Sequence, residues 1–340
     1  MIRGDFTYNQ RFNLESNEYV EELHLAYHYT GKLNATASNV IWVFHALTGN
    51  SNIEDWWPAI IGKGKLLDPT HFFIICVNMP GSCYGSSGPL SINPATHQPY
   101  LHSFPLFTIH DMVRAYALLK DALGIRSIMF GIGGSMGGQQ LLAWAAQSPS
   151  LFKNIIPITT NAKHSNWGIA FNQAQRNAIE QDANWGLPIP ESGTTGMKLA
   201  RAIAMLSYRH YKQYEKIEGS LQEERNVISY QLHQGEKLAE RFNAISYWLL
   251  SKAMDLHHLQ INELKKISAN TMVIGIDNDI LFPVEEQQLL AAYIPKAIVR
   301  IIRSDYGHDG FLLETAQLNR LLNVFVIEKA ICGECLSVYI

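Results

Sequence analysis

Apolar residues fall along this chain in two rhythms. Over residues 21–29 they alternate, with Leu23, Leu25, Tyr27 and Tyr29 on one side and His24 and His28 on the other. Successive strand side chains point to opposite faces, so this pattern predicts an edge-type antiparallel strand with one face covered. The later apolar runs, 40–44, 72–77, 128–132, 155–159, 271–276 and 297–302, do not alternate. A run that is apolar at every position suits a parallel strand covered on both faces. Helical patterns separate several of these runs, for example over 111–123 before the run at 128. Strands alternating with helices predict an α/β protein with a mostly parallel, doubly wound sheet.

That alternation stops after Thr160 and resumes at Thr271. Between them lie helical patterns over 166–179, 197–208 and 236–254, without a strand pattern. The expected organisation is a core of 1–160 and 268–340, with a helical lid, 161–267, inserted between late strands. Such a lid would lie over the C-terminal strand ends, where open α/β sheets bind their ligands.

Composition narrows the possibilities. At 340 residues, 47% hydrophobic and 17% charged, the chain has the make-up of an ordinary globular protein. A net charge of −3 argues against a nucleic acid or an anionic membrane as partner. No apolar run approaches the roughly 20 residues that a spanning helix needs. Met1-Ile2-Arg3-Gly4-Asp5 is not a basic-then-apolar signal, so a cytoplasmic location is expected. Of the four cysteines, Cys76 ends an apolar run and reads as a buried hydrophobe. Cys332 and Cys335 have C-x-x-C spacing, but no second ligand pair completes a metal site, and a frayed tail is the plainer reading.

The candidate chemistry centres on Gly133-Gly134-Ser135-Met136-Gly137, which follows the strand run at 128 and precedes a helical pattern. In that setting G-x-S-x-G forms a nucleophile elbow, with the serine on a strained turn and near-side-chain-free neighbours at both flanks. Such a serine needs a base and an acid from loops after later strands. The loop after 271–276 offers Asp277 or Asp279, and the loop after 297–302 offers His308. The oxyanion donors would be the backbone N–H of Met136 and of Leu47, in the loop His45-Ala46-Leu47-Thr48-Gly49.

Several longer motifs carry a closer likeness. His45-Ala46-Leu47-Thr48-Gly49, Cys83-Tyr84-Gly85-Ser86-Ser87-Gly88-Pro89, Gly133-Gly134-Ser135-Met136-Gly137-Gly138, Ala170-Phe171-Asn172, Gln234-Gly235-Glu236-Lys237 and Gly307-His308-Asp309-Gly310-Phe311 stand in this order. With them the chain resembles the homoserine O-acetyltransferase family of the α/β-hydrolase superfamily, from about residue 10 to residue 325. The resemblance implies an α/β-hydrolase fold without a permanently bound cofactor. It also implies a ping-pong transfer in methionine biosynthesis: Ser135 takes acetyl from acetyl-CoA and passes it to the hydroxyl of L-homoserine. It places the triad acid at Asp279 and substrate contacts at Arg201, Tyr208 and Asp309, and it implies a homodimer built through the lid. An amino-acid acceptor needs a cation for its carboxylate and an anion for its ammonium, which Arg201 and Asp309 would supply. Arg201 and Tyr208, seven apart on a helical pattern, share a face.

The chain departs from the family pattern at Pro80-Gly81-Ser82, where a Gly-Gly pair is usual, and at Ser86-Ser87, where a serine replaces a threonine. These positions are expected beside the acyl-CoA approach, where they would bear on acetyl against succinyl transfer and on homoserine against serine as acceptor. An esterase with water as acceptor, or a binding protein on an inactive scaffold, are the other classes considered. The aromatics Trp167, Trp185, Tyr230, Tyr247 and Trp248 suit either core or a dimer surface, and residues 236–241 read as a solvated helix face.

Overall fold

The computed structural model describes residues 1–331. Eight strands make one sheet: β1 (Ile2–Tyr8), β2 (Leu23–Thr30), β3 (Val40–Phe44), β4 (Phe73–Val77), β5 (Ile128–Gly134), β6 (Phe152–Ile158), β7 (Asn270–Ile276) and β8 (Ala297–Ile302). Their order is β1-β2-β4-β3-β5-β6-β7-β8. The β1–β2 and β2–β4 pairs are antiparallel and all later neighbours run parallel.

The unalternating runs feed two cores. Val40, Trp42 and Phe44 of β3 join one cluster, while Ile41 and Val43 join the other, on the opposite face. Cys76 is buried in the second cluster. Helix α1 (Ile109–Ala122) starts at a capping box formed by Thr108 and Asp111. Helix α2 (Met136–Gln147) is buried from Met136 to Ala146, and its Trp144 packs edge-on against Trp42 with ring centroids 4.9 Å apart.

Two strand expectations change. The strand at 21–29 is not at the edge, because β1 pairs along its length from Ile2–Tyr29 to Tyr8–Leu23. Ile2, Gly4, Phe6 and Tyr8 alternate with polar residues, a strand signal in the very segment read as lacking a targeting signal. At the far edge, only Ile302 of β8 is buried, so this run is not covered on both faces. Among the described residues no strand lies beyond it, and Arg300 interrupts its apolar character.

Between the neighbouring strands β6 and β7 come six helices: α3 (Asn166–Glu180), α4 (Thr194–Tyr208), α5 (Tyr211–Tyr214), α6 (Val227–Ala239), α7 (Ala244–Asp255) and α8 (Ile261–Leu264). The helix expected over 236–254 is two helices. Asn243 caps α7 by accepting from the Ser246 N–H at 3.1 Å, so the chain breaks where its side chain competes for backbone donors. Helices α3 and α7 are held by a buried Arg176–Asp255 ion pair, with the Asn172 amide donating to the same carboxylate at 2.9 Å. Of the aromatics in this segment, Tyr247 is core and Trp167 is exposed. Helix α9 (Val284–Tyr293) follows β7; α10 (Gly310–Leu313) and α11 (Thr315–Ile331) follow β8. Cys332 and Cys335 lie outside the described residues.

The Trp42–Trp144 contact joins sheet to helix at the centre of the larger core. Trp144→Ala should therefore lower the unfolding free energy by about 3–5 kcal/mol, the range for truncating a buried large aromatic. Urea denaturation checks this; a loss below about 1 kcal/mol would show that the core refills the space.

Candidate active site

Ser135 sits at φ 55° and ψ −126°, between β5 and α2. A residue with a side chain is strained there, so neighbouring bonds must hold it. Its N–H donates to the Ile158 carbonyl at 2.9 Å, and its own carbonyl accepts from Thr160 Oγ1 at 2.9 Å. The flanking glycines are required by distance. A Cβ on Gly133 would lie 2.4 Å from the Gly137 carbonyl oxygen, and one on Gly137 would lie 2.2 Å from that of Phe44.

His308 lies in a short 3-10 turn, Gly307–Asp309, after β8. Its Nδ1 is 2.6 Å from Asp279 Oδ2. The other Asp279 oxygen accepts the N–H groups of Leu281 at 2.8 Å and Phe282 at 2.9 Å, so the carboxylate is fixed at both ends. Asp277 does not reach the histidine. Its side chain accepts the Ser304 N–H at 3.0 Å, as a turn residue does. The His308 ring stacks on Phe282 at 5.1 Å and meets Tyr208 and Phe311 at 5.7 and 5.4 Å. With Nδ1 engaged, Nε2 is the ring nitrogen left to exchange a proton.

A cavity of about 400 Å³ is lined by Ser135, His308, Leu47, Arg201, Tyr208 and Asp309, among others. Six residues singled out from the sequence thus meet at one place. Met136 is buried behind them, and its N–H heads α2, among the N-terminal amides that a helix leaves without an internal acceptor. The Arg201 guanidinium lies 5.4 Å from the Tyr208 ring centre. Burial raises the Tyr208 phenol pKa, against the pull of Arg201. Burial also raises the Asp309 carboxyl pKa, and Arg201, Arg209 and His308 oppose it.

Two arginines were missed. Arg209, next to Tyr208 at the end of α4, pairs with Asp309 at 3.3 Å. Arg241 is exposed with Glu236, Lys237 and Glu240, as a solvated face requires, and it also lines the cavity. Nothing in local periodicity distinguishes such residues, because their partners are distant in sequence. None of residues 80–87, where the family departures fall, lines the cavity itself, although Tyr84 accepts from Arg241 of its lining at 2.7 Å. Ser86 and Ser87 instead accept the Ala26 and His24 N–H groups at 3.0 and 2.8 Å, bracing the loop against β2.

The loop after β3 is braced by His45. Its Nε2 accepts the Met79 N–H at 3.2 Å, which leaves Nδ1 as the protonated nitrogen of a neutral ring. That nitrogen lies 3.0 Å from the Ala46 carbonyl, which also accepts the Gly49 N–H at 2.8 Å. The Ala46 carbonyl and the Leu47 N–H belong to one planar trans peptide and point in opposite directions. Pinning the carbonyl therefore aims the N–H. Burial pulls the His45 pKa down to about 4 and keeps the ring neutral. A second polar layer lies behind the elbow. There Asn161 joins Gln139 at 3.0 Å to Glu286 at 2.9 Å, and burial raises the Glu286 carboxyl pKa to about 7. Burial lowers His164 in the same layer to about 4 and His257 to about 3. Among the described residues, no three His, Cys, Asp or Glu side chains gather to hold a metal ion, and no helix is long and apolar enough to cross a membrane.

A mostly parallel sheet with a serine at a strained strand-to-helix turn, beside a hydrogen-bonded histidine and aspartate, defines an α/β-hydrolase-fold enzyme. A family model described as the alpha/beta hydrolase fold matches residues 39–315. The chain is 45% identical to a homoserine O-acetyltransferase of Cyclobacterium marinum over 338 residues, covering 97% of this chain and 96% of that protein. It is 41% identical to one of Nostoc punctiforme, covering 92% of each. A solved homoserine O-acetyltransferase of Staphylococcus aureus superposes with a TM-score of 0.80 at 28% identity, over 96% of this chain and 95% of that one. Esterase E22 superposes at 0.86 with 21% identity, over 96% and 100%, a likeness of fold alone. The chain belongs to the homoserine O-acetyltransferase family.

The three buried histidines give the fold an acid limit. Unfolded, each takes up a proton near pH 6.5; folded, none does until about pH 4 or below. Stability should therefore fall as pH drops below about 6.5, by about 2 kcal/mol per histidine at pH 5. Urea unfolding at pH 7 and pH 5 measures this, and equal stabilities would contradict neutral burial.

Proposed function

We propose that this chain transfers an acetyl group from acetyl-CoA to the side-chain hydroxyl of L-homoserine, in methionine biosynthesis, by way of an acetyl ester on Ser135. One observation carries the reading. A single cavity is lined by Ser135 and by His308, which Asp279 holds from behind, and also by a cation and an anion, Arg201 and Asp309, the pair of charges that an amino acid needs.

The transfer runs in two half-reactions. His308 Nε2 takes the Ser135 proton as Oγ attacks the thioester carbonyl carbon. Asp279 holds the ring orientation and stabilises the imidazolium. The N–H groups of Leu47 and Met136 stabilise the oxyanion. The C–S bond breaks and the CoA thiolate leaves with the proton from His308. Homoserine then enters, its carboxylate on Arg201 beside Tyr208 and its ammonium on Asp309. His308 takes the proton of its hydroxyl, the new ester bond forms, and the C–O bond to Ser135 breaks as His308 returns the proton to Oγ. Arg209 beside Asp309 supports the charged carboxylate that an ammonium needs.

In the same reading, residues 161–267 serve as a lid on a core made of 1–160 and 268–340, and the protein acts in the cytoplasm as a homodimer. The apolar residues Leu199, Leu206, Ile228 and Leu232, exposed on α4 and α6, support a partner surface on that lid.

The test is CoA release from acetyl-CoA or succinyl-CoA with L-homoserine, L-serine or no acceptor, with the product identified by mass. Homoserine-dependent release with O-acetylhomoserine formed is expected. Release that no acceptor accelerates would make water the acceptor and overturn the transfer reading. Ser135→Ala should abolish release and leave the melting temperature within a few degrees; turnover surviving in that variant would exclude Ser135 as nucleophile. Arg201→Ala should raise the homoserine KM about 10- to 100-fold, as for a lost charged hydrogen bond, and leave acylation by the thioester largely intact. Equal losses in both half-reactions would remove Arg201 from the acceptor site.

A further inference from the structure

The helical segment touches three loops, those that carry Asp279, His308 and Leu47, and each time a side chain of the segment donates to a backbone carbonyl. Trp167 of α3 donates from its indole nitrogen to the Ile280 carbonyl at 2.7 Å, one residue beyond Asp279. Gln213 of α5 donates to the Asp305 carbonyl at 3.0 Å, three residues before His308. Arg241, between α6 and α7, donates from Nη1 to the Thr48 carbonyl at 2.6 Å, one residue beyond Leu47.

The Arg241 contact is the best braced of the three. The same nitrogen donates to the Tyr84 hydroxyl at 2.7 Å. The next residue, Phe242, is buried and meets the Tyr84 ring edge-on at 5.7 Å. Tyr84 is in turn joined to the core, since its carbonyl accepts from the Asn78 amide at 2.8 Å while Asn78 accepts the Ser51 N–H at 2.7 Å. The loop from His45 to Ser51 is thus held at its start by His45 and at its end by Asn78. Its middle is held by a guanidinium from the helical segment.

We propose that Arg241 is a positioning residue: by holding the Thr48 carbonyl it keeps the Leu47 N–H aimed at the oxyanion, so that docking of the helical segment completes the oxyanion hole. The proposal rests on the oxyanion role given above to Leu47. Arg241 acts through the loop, on the transition state, whereas the acceptor, in the reading above, is held by Arg201 and Asp309. Its effect therefore belongs to the rate of acylation and not to homoserine binding.

The experiment measures the acylation half-reaction and full turnover for the wild-type protein, R241A, R241K and Y84F, with melting temperatures for each. Removing an oxyanion donor outright costs about 10²–10³ in kcat, so misaiming one should cost roughly 10- to 100-fold. R241A should show that loss in kcat and in kcat/KM for acetyl-CoA together, with the homoserine KM within about threefold of wild type. R241K, which keeps a charged donor, should recover most of the loss, and Y84F should lose a smaller part of the rate. R241A at wild-type rate overturns the proposal. So does a raised acetyl-CoA KM at unchanged kcat, which would make Arg241 a donor-binding group. If R241A proves unstable, R241K and Y84F decide: both at wild-type rate and stability would also overturn it. Failure of the underlying reading is separate, because it would appear in the wild-type protein as release without acceptor dependence.

Discussion

The active end of this molecule depends on a close approach between the first turn of α2 and the end of β3. The Phe44 carbonyl comes within 2.2 Å of where a Gly137 side chain would begin. That contact lets β5 turn into α2 at Ser135, at φ 55°. It brings the Ser135 hydroxyl, the Met136 amide and the loop after β3 to one place. Strain at a single residue persists only where its surroundings over-determine it. Here the Ile158 carbonyl, the Thr160 hydroxyl and two flanking glycines do so.

Around that turn, order is imposed by pinned carbonyls and occupied carboxylates. Asp279 has both oxygens engaged, so His308 meets a carboxylate with a fixed direction. The Ala46 carbonyl is held by His45 and Gly49, which directs the opposite end of its peptide. His45 does this as a neutral ring, because burial denies it a proton. The cavity therefore places Ser135 and His308 beside two charged residues, Arg201 and Asp309, the second of them paired with Arg209. Water needs no such charge pair, whereas an amino acid does, and this agrees with the family to which the chain belongs.

Much of this was legible in the residue pattern, for local reasons. Unalternating runs placed β3 to β7, because a strand covered on both faces must be apolar throughout. The elbow could be read because a strained serine requires small neighbours on both flanks. His308 could be read from its place after the last strand. Other features were not legible. Asp277 and Asp279 have similar local settings; the family likeness points to Asp279, and the fold shows it meeting His308 while Asp277 accepts from a turn. The strand β1 was overlooked although its alternation is present. The helix expected over 236–254 hid a break, because a four-residue interruption at Asn243 leaves the apolar rhythm nearly intact.

Sequence alone determined the α/β class, the helical segment between late strands, the nucleophile turn and the family likeness. Each of these is written in periodicity or in contiguous motifs, where the physical requirement acts within a few residues. Tertiary structure decided that Arg209 pairs with Asp309 and that Arg241 reaches from the helical segment to Thr48 across 193 positions of chain. It also decided that Ser86 and Ser87 brace a strand and do not line the cavity. These are matters of direction and distance between side chains far apart in sequence, and no local pattern encodes them.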